Sequence, residues 1–352
     1  MNRDLLRSLV YDMLLARTFE ERAAQEYANG RISGFLHLYP GEEAVAVGVL
    51  HAAEPADYVV STYREHVHAL ARGISARQIM AELFGKKDGV SGGMGGSMHI
   101  FDGTRRFMGG YAIVGETFPI ALGVGYAIAY RGLPEAVICF FGDGAVNQGT
   151  FHESLNMAAL WRIPILFVCE NNHYQIGTEI HRHSAVADIH KRACGYAIPA
   201  EKIDGMDVLA VYEAARRALD AIRNEGGPRF LEFETYRFRG HSMADPGAYR
   251  PAAELQAYLH DDPVDSVIRA AETADPTPGK QAPIRAQGSP PSPFRGPAWE
   301  SLTAPDIESL RAEAAAVVDD AVRFAEASPA PTMEDAWHAF RRNRMPDGPS
   351  AP

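Results

Sequence analysis

Apolar positions along this chain fall into two kinds of block: short unbroken runs, and longer stretches with helical spacing. Ala136-Val137-Ile138-Cys139-Phe140-Phe141 and Ile165-Leu166-Phe167-Val168-Cys169 are continuous runs with the length and the β-branched and aromatic content of buried parallel strands. Between them, from Gln148 to Trp161, apolar residues recur at Phe151, Leu155, Ala158, Ala159 and Leu160, and Pro164 opens the second run. The segment predicts a βαβ unit whose two strands end on one edge of a sheet. Helices are predicted from Asp4 to Tyr27, through Leu5, Leu6, Leu9, Met13 and Phe19 with Asn29-Gly30 as the stop, and over Ala76 to Phe84 and Val208 to Ile222. Phe230 to Tyr236 reads as a strand that delivers Gly240-His241. Alternating blocks of this kind predict an α/β fold with a doubly wound, mostly parallel sheet.

The pattern changes near the C-terminus. Seven prolines fall between Pro276 and Pro297 and apolar residues nearly vanish, so residues 276–298 are expected to be a linker or insertion with no core of their own. The α/β domain is therefore expected to occupy 1–275. Thr303 to Asp306 opens an amphipathic helix with Ile307, Leu310, Ala314, Val317, Ala321 and Phe324 on one face. Residues 299–345 are expected to pack as a helical segment on the main domain, and 346–352 to be a disordered tail.

With 46% hydrophobic residues over 352 positions, the chain can bury a sizeable core. The N-terminal segment is broken by Arg7 and Asp12, and the longest uncharged apolar stretch, Pro119 to Tyr130, is short and glycine-rich for a bilayer span, so a cytoplasmic protein without a membrane segment is expected. Cys139 and Cys169 lie inside predicted strands and Cys194 has no nearby thiol in sequence, which points to free thiols. A formal charge of −11 disfavours nucleic acid as a partner.

The chemistry concentrates where the two strands end. Gly142-Asp143-Gly144 follows the first, and Asn171-Asn172 closes the second after 26 intervening residues. Alone, Gly-Asp-Gly is a tight turn and Asn-Asn a strand-terminating loop. Together they set two hard oxygen ligands, Asp143 and Asn172, beside a helix start with free amide donors, which suits magnesium carrying a diphosphate. A loop carbonyl near Tyr174 would be a third ligand.

In these motifs the chain resembles the thiamine diphosphate-dependent 2-oxo acid dehydrogenases, and among them the alpha subunit of the decarboxylating component. The resemblance runs from about Thr18 to Arg250 and resumes in the C-terminal helix. It rests also on Gly34-Phe35-Leu36-His37-Leu38-Tyr39-Pro40-Gly41-Glu42-Glu43, Tyr63-Arg64-Glu65-His66, Gly95-Gly96-Ser97-Met98-His99, Asn156 to Trp161, and Gly240-His241-Ser242 with Asp245-Pro246-Gly247 behind. It implies thiamine diphosphate and Mg2+ as cofactors. Asp143, Asn172 and Tyr174 would hold the metal. Phe35, Tyr63, Arg64, Ala112, Val114, Gly142, Gly144, Ala145 and His241 would join them around the cofactor. His37 and His241 would be catalytic, His37 toward the substrate oxygen and carboxylate and His241 in acyl transfer.

The resemblance further implies half an enzyme. A beta subunit would complete the site, in a heterotetramer of two alpha and two beta chains, and a lipoyl-bearing acyltransferase would take the acyl group. Pyruvate is the expected 2-oxo acid, with acetoin dehydrogenase and the branched-chain enzyme as rivals in the family and a non-catalytic diphosphate-binding scaffold as a rival of another class. Two departures stand out: Ala112-Ile113-Val114 replaces a family Gly-Ile-Val, and Gln175 stands where glycine is frequent. His181, His183, His190 and Cys194 match no common zinc spacing and are expected in an exposed loop at the mouth of the site.

Overall fold

The computed structural model describes residues 2–273 and 301–342. Its strands are β1 (Tyr58–Thr62), β2 (Phe107–Tyr111), β3 (Val137–Gly142), β4 (Ile165–Asn171), β5 (Tyr174–Gln175), β6 (Thr178–Glu179), β7 (Ala200–Asp204) and β8 (Arg229–Glu234). Six of them form a parallel sheet in the order β2-β1-β3-β4-β8-β7, while β5 and β6 make a two-residue-strand hairpin. Helices α1 (Arg3–Ala28), α2 (Glu43–Ala52), α3 (His66–Ala71), α4 (Ala76–Leu83), α5 (Thr117–Arg131) and α6 (Gly149–Leu160) belong to the first half. The second half has α7 (Ile180–His183), α8 (His190–Cys194), α9 (Val208–Glu225), α10 (Ala252–His260) and α11 (Pro263–Thr273). Beyond the undescribed stretch come α12 (Ala304–Ala327) and α13 (Met333–Arg342).

Side-chain alternation explains why the central strands read as unbroken apolar runs. Ile138 and Phe140 of β3, Leu166 and Val168 of β4, and Leu231 and Phe233 of β8 enter one core with α2, α4, α9 and α12. Their sequence neighbours Val137, Cys139, Phe141, Ile165, Phe167, Cys169 and Phe230 point the other way, into a second core with α5 and α6. Both faces are covered, so the runs Val137 to Phe141 and Ile165 to Cys169 are apolar throughout, while the buried Glu170 of β4 and Glu232 of β8 are each held by hydrogen-bond partners. The doubly wound α/β fold expected from the pattern is present, and the cysteines are free, with Cys139 and Cys169 buried and Cys194 exposed.

Local signals set the helix ends. Asn2 Oδ1 accepts from Leu5 N at 2.8 Å to start α1, Asp207 caps α9 through Leu209 N and Ala210 N, and Thr303 with Asp306 forms a reciprocal box at α12. Each such cap is worth roughly 0.5–2 kcal/mol. Helix α12 packs against α1 and α4, but its buried stripe is Ile307, Leu310, Ala314, Val318, Ala321, Val322 and Ala325, with Val317 and Phe324 half-buried at its edge. The stripe is thus shifted from the one expected because the helix lies in a groove between two neighbours and not on a flat face. The proline-rich segment expected at 276–298 and the tail at 346–352 lie outside the described residues.

Candidate active site at the sheet's C-terminal edge

The chain lays β1 and β2 on one side and then crosses to β3, so the order reverses between β1 and β3. Open α/β sheets bind ligands outside the strand ends at such a point. Here the strand ends deliver Tyr63 and Arg64 after β1, Ala112 and Val114 after β2, Asp143 after β3, Asn172 after β4, and His241 beyond β8. Together with His37, Gly142, Gly144, Ala145 and Tyr174 they line one cavity of about 300 Å3. Phe35 does not line it and stands at 64% exposure, with its ring 6.4 Å from His37.

Aromatic rings form one wall. His37 lies 4.5 Å from Tyr63 and 5.1 Å from His241 between centroids. Burial, and then the Arg64 charge, push His37 down to about 3 and His241 to about 4, so both rings are neutral near pH 7. Their Nδ1 atoms are buried and take no hydrogen bond among the described residues. Arg64 is buried, donating to Leu38 O at 2.5 Å and His241 O at 2.9 Å. Burial and the nearby Arg237 lower its pKa. Two buried guanidinium groups facing one cavity make it a place for an anion.

Arg237, which no motif singled out, also holds the far wall: it donates to Ile176 O at 3.1 Å and to the Tyr249 hydroxyl at 3.0 Å. Ile176 has φ of 55°, a left-handed conformation rare for a β-branched residue, and so needs that restraint. Gln175 occupies the space beside Gly144; a Cβ there would lie 2.5 Å from Gln175 Cγ. Glycine at 144 is therefore demanded by close approach. Gly144 opens no path for a left-handed turn, because its φ is ordinary.

Acidic groups complete the floor. Asn172 Nδ2 donates to Glu42 Oε1 at 2.9 Å, and Glu42 Oε2 has no hydrogen-bond partner among the described residues. Burial pushes Glu42 up to about 7, with Arg64 pulling it down and Glu170 pushing it up. Glu170 accepts from the Tyr39 hydroxyl and from His68 Nε2 at 2.9 Å. Glu170 and Arg237 lay in no motif, and Glu42 stood in the Gly34 to Glu43 block without a role assigned to it, since a buried charge is defined by what packs around it. The histidine loop also departs from expectation: His181 is exposed, but the His183 side chain is only 7% exposed and reaches Asp143, and His190 is tied to Glu232. Among the described residues no group of three or more His, Cys, Asp or Glu could hold a metal. The Asp143 carboxylate, the Asn172 amide oxygen and the Tyr174 carbonyl are instead an all-oxygen set of the kind magnesium takes alongside phosphate.

The glycine-rich stretch Gly89 to Gly110 spends several of its amides on one neighbouring carboxylate. Glu82 accepts from Ser91 N, Gly93 N, Gly95 N and Gly96 N at 2.8, 2.9, 2.7 and 3.1 Å. Met98 of this stretch reaches the cavity wall, as does Tyr111 just beyond it.

The family profile of the dehydrogenase E1 component matches residues 11–271. The chain belongs to that family. It is 47% identical over 271 residues to the pyruvate dehydrogenase E1 component subunit alpha of Porphyra purpurea, covering 75% of this chain and 79% of that one. It is 41% identical over 327 residues to the protein of the same name from Rhizobium meliloti, covering 93% and 87%, and 47% identical over 268 residues to that from Zymomonas mobilis, covering 76% of each. The dehydrogenase E1 family is thiamine diphosphate-dependent, and the orphaned ring nitrogens, buried guanidinium groups and oxygen donors of this cavity fit that group.

Proposed function

We propose that the chain is the alpha subunit of a pyruvate dehydrogenase decarboxylating component, working with a beta subunit in a cytoplasmic heterotetramer and handing an acetyl group to a lipoyl-bearing acyltransferase. The observation that carries this reading is the meeting of Arg64, Asp143, Asn172, His37 and His241 at one cavity in a chain whose relatives bear that name. Asp143, Asn172 and the Tyr174 carbonyl would hold Mg2+. Arg64, Tyr63 and the Gly142 to Ala145 turn would hold the diphosphate, and Ala112 and Val114 would meet the pyrimidine through backbone. When bound, thiamine diphosphate supplies the nucleophilic carbon and the electron sink for decarboxylation. His37, neutral and hydrogen-bond competent, would orient the 2-oxo acid, and His241 would manage a proton during acyl transfer.

Exposed apolar residues support the missing half. Ile113 and Ile176 line the cavity yet stand at 67% and 60% exposure, and Pro119, Gly123, Tyr126, Ala127 and Tyr130 give α5 an exposed, uncharged outer face. Contiguous apolar surface of this kind marks a protein interface. The test is reconstitution. The isolated chain should show no decarboxylase activity, and addition of a cognate beta subunit should create it, with pyruvate preferred over branched 2-oxo acids and some leakage onto 2-oxobutyrate, since methylene-scale discrimination is only about 10- to 200-fold. In that assembly His37→Ala should depress kcat more than cofactor affinity. Full turnover by the single chain would refute the two-subunit reading. A preference for acetoin or 3-methyl-2-oxobutanoate would move the substrate within the family, and no activity with any 2-oxo acid would favour a scaffold.

A further inference from the structure

Two segments of the chain, Asp143 to Asn147 and His183 to Arg192, join into one hydrogen-bonded line that ends on Asp143. Arg192 of α8 donates through Nη1 to Asn147 Oδ1 at 3.0 Å and to Val146 O at 3.1 Å. A guanidinium group has no acceptor, so this contact fixes which end of the Asn147 amide is oxygen. The amide nitrogen is then the end that faces His183, donating to ring Nδ1 at 3.2 Å and to the main-chain carbonyl at 3.2 Å. The Ser184 hydroxyl, which can donate, lies 3.0 Å from the same Nδ1. With Nδ1 an acceptor, the ring proton sits on Nε2, and Nε2 lies 3.1 Å from Asp143 Oδ2. A carboxylate can only accept, so His183 donates to it. Both side chains are buried. Asp143 Oδ1 takes no hydrogen bond from any described residue.

We propose that His183 is a positioning residue for Asp143: it pins Oδ2 and leaves Oδ1 to face a divalent cation, with Asn147 and Arg192 fixing the tautomer that does so. The inference rests on the reading of Asp143 as a ligand of a magnesium diphosphate. It excludes His183 itself from the metal, because the nitrogen nearest the site carries the proton. Groups that hydrogen-bond a ligating carboxylate orient it, and their loss typically weakens metal binding about 10- to 100-fold.

The experiment is a Mn2+ titration followed by electron paramagnetic resonance, on the metal-free assembled enzyme with saturating thiamine diphosphate. His183→Ala should bind Mn2+ about 10- to 100-fold more weakly. His183→Gln, whose amide nitrogen can stand in for Nε2, should recover most of that loss. Arg192→Met, which frees the Asn147 amide to turn, should give a smaller loss and carries the test if His183→Ala does not fold by circular dichroism. Parental Mn2+ affinity in His183→Ala, or in Arg192→Met where that variant carries the test, overturns the proposal, as does a glutamine variant as weak as alanine. Asp143→Ala run in parallel separates the two ideas. A large loss there with none in His183→Ala removes only the positioning role, whereas no loss there removes the ligand assignment and the proposal with it.

Discussion

Asn172 and Glu42, 130 residues apart in the chain, meet through a buried hydrogen bond of 2.9 Å from the amide nitrogen to the carboxylate. That bond decides which way the Asn172 side chain presents its oxygen. Glu42→Ala should leave the amide free to rotate and strand a buried donor, a penalty of about 1–3 kcal/mol. Glu42→Gln keeps an acceptor oxygen and should be milder. Calorimetric titration with thiamine diphosphate and Mg2+ checks the order; equal affinity in Glu42→Ala and the parent would refute the role.

Asp143→Ala should abolish Mg2+-dependent thiamine diphosphate binding while leaving the fold intact, because removing one hard ligand leaves the diphosphate charge uncompensated. Arg64→Lys should weaken binding less, by roughly ten-fold, since a point charge replaces a two-pronged donor that also holds Leu38 O and His241 O. Calorimetry on the assembled complex ranks the two. Unchanged affinity in Asp143→Ala would contradict the cofactor assignment.

The pH dependence of stability follows from the two cavity histidines. Their folded pKa values, about 3 for His37 and about 4 for His241, lie below the ordinary value of 6.5. The unfolded chain therefore gains protons first as pH falls, and stability present above about pH 6.5 is progressively lost down through the folded values. His37→Gln should shrink the drop in thermal midpoint between pH 7 and pH 5. A His37 ring signal titrating with a midpoint near 6.5 in the folded protein, by NMR, would show that the ring is not held neutral.

Glu82 gathers four amides of the glycine-rich stretch onto one carboxylate, so Glu82→Ala should release that stretch without touching the cavity floor. The expected cost is on the order of 3 kcal/mol, since several charge-assisted bonds go at once. Hydrogen exchange should accelerate selectively at Ser91, Gly93, Gly95 and Gly96. Protection unchanged at those amides would mean that other contacts hold the loop.

Much of the architecture was determined by the sequence alone, because its signals are local. Period-2 burial on both faces makes Val137 to Phe141 and Ile165 to Cys169 unbroken apolar runs, 3.6-residue spacing marks α1, α6 and α9, and a parallel sheet puts the loops that follow its strands at one edge, so Gly142 to Gly144 and Asn171-Asn172 share that edge. What tertiary structure alone decided is the environment of each charge. Glu42, Glu170 and Arg237 became part of the site, Glu82 took over the glycine-rich amides, His183 turned inward onto Asp143, and Phe35 stayed outside the wall. Hydropathy patterns record how often a face is buried; they do not record which buried donor meets which buried acceptor. That pairing depends on angstrom-scale approach between elements far apart in the chain, and the cost of leaving a buried polar group unpaired makes it specific only once the chain has folded.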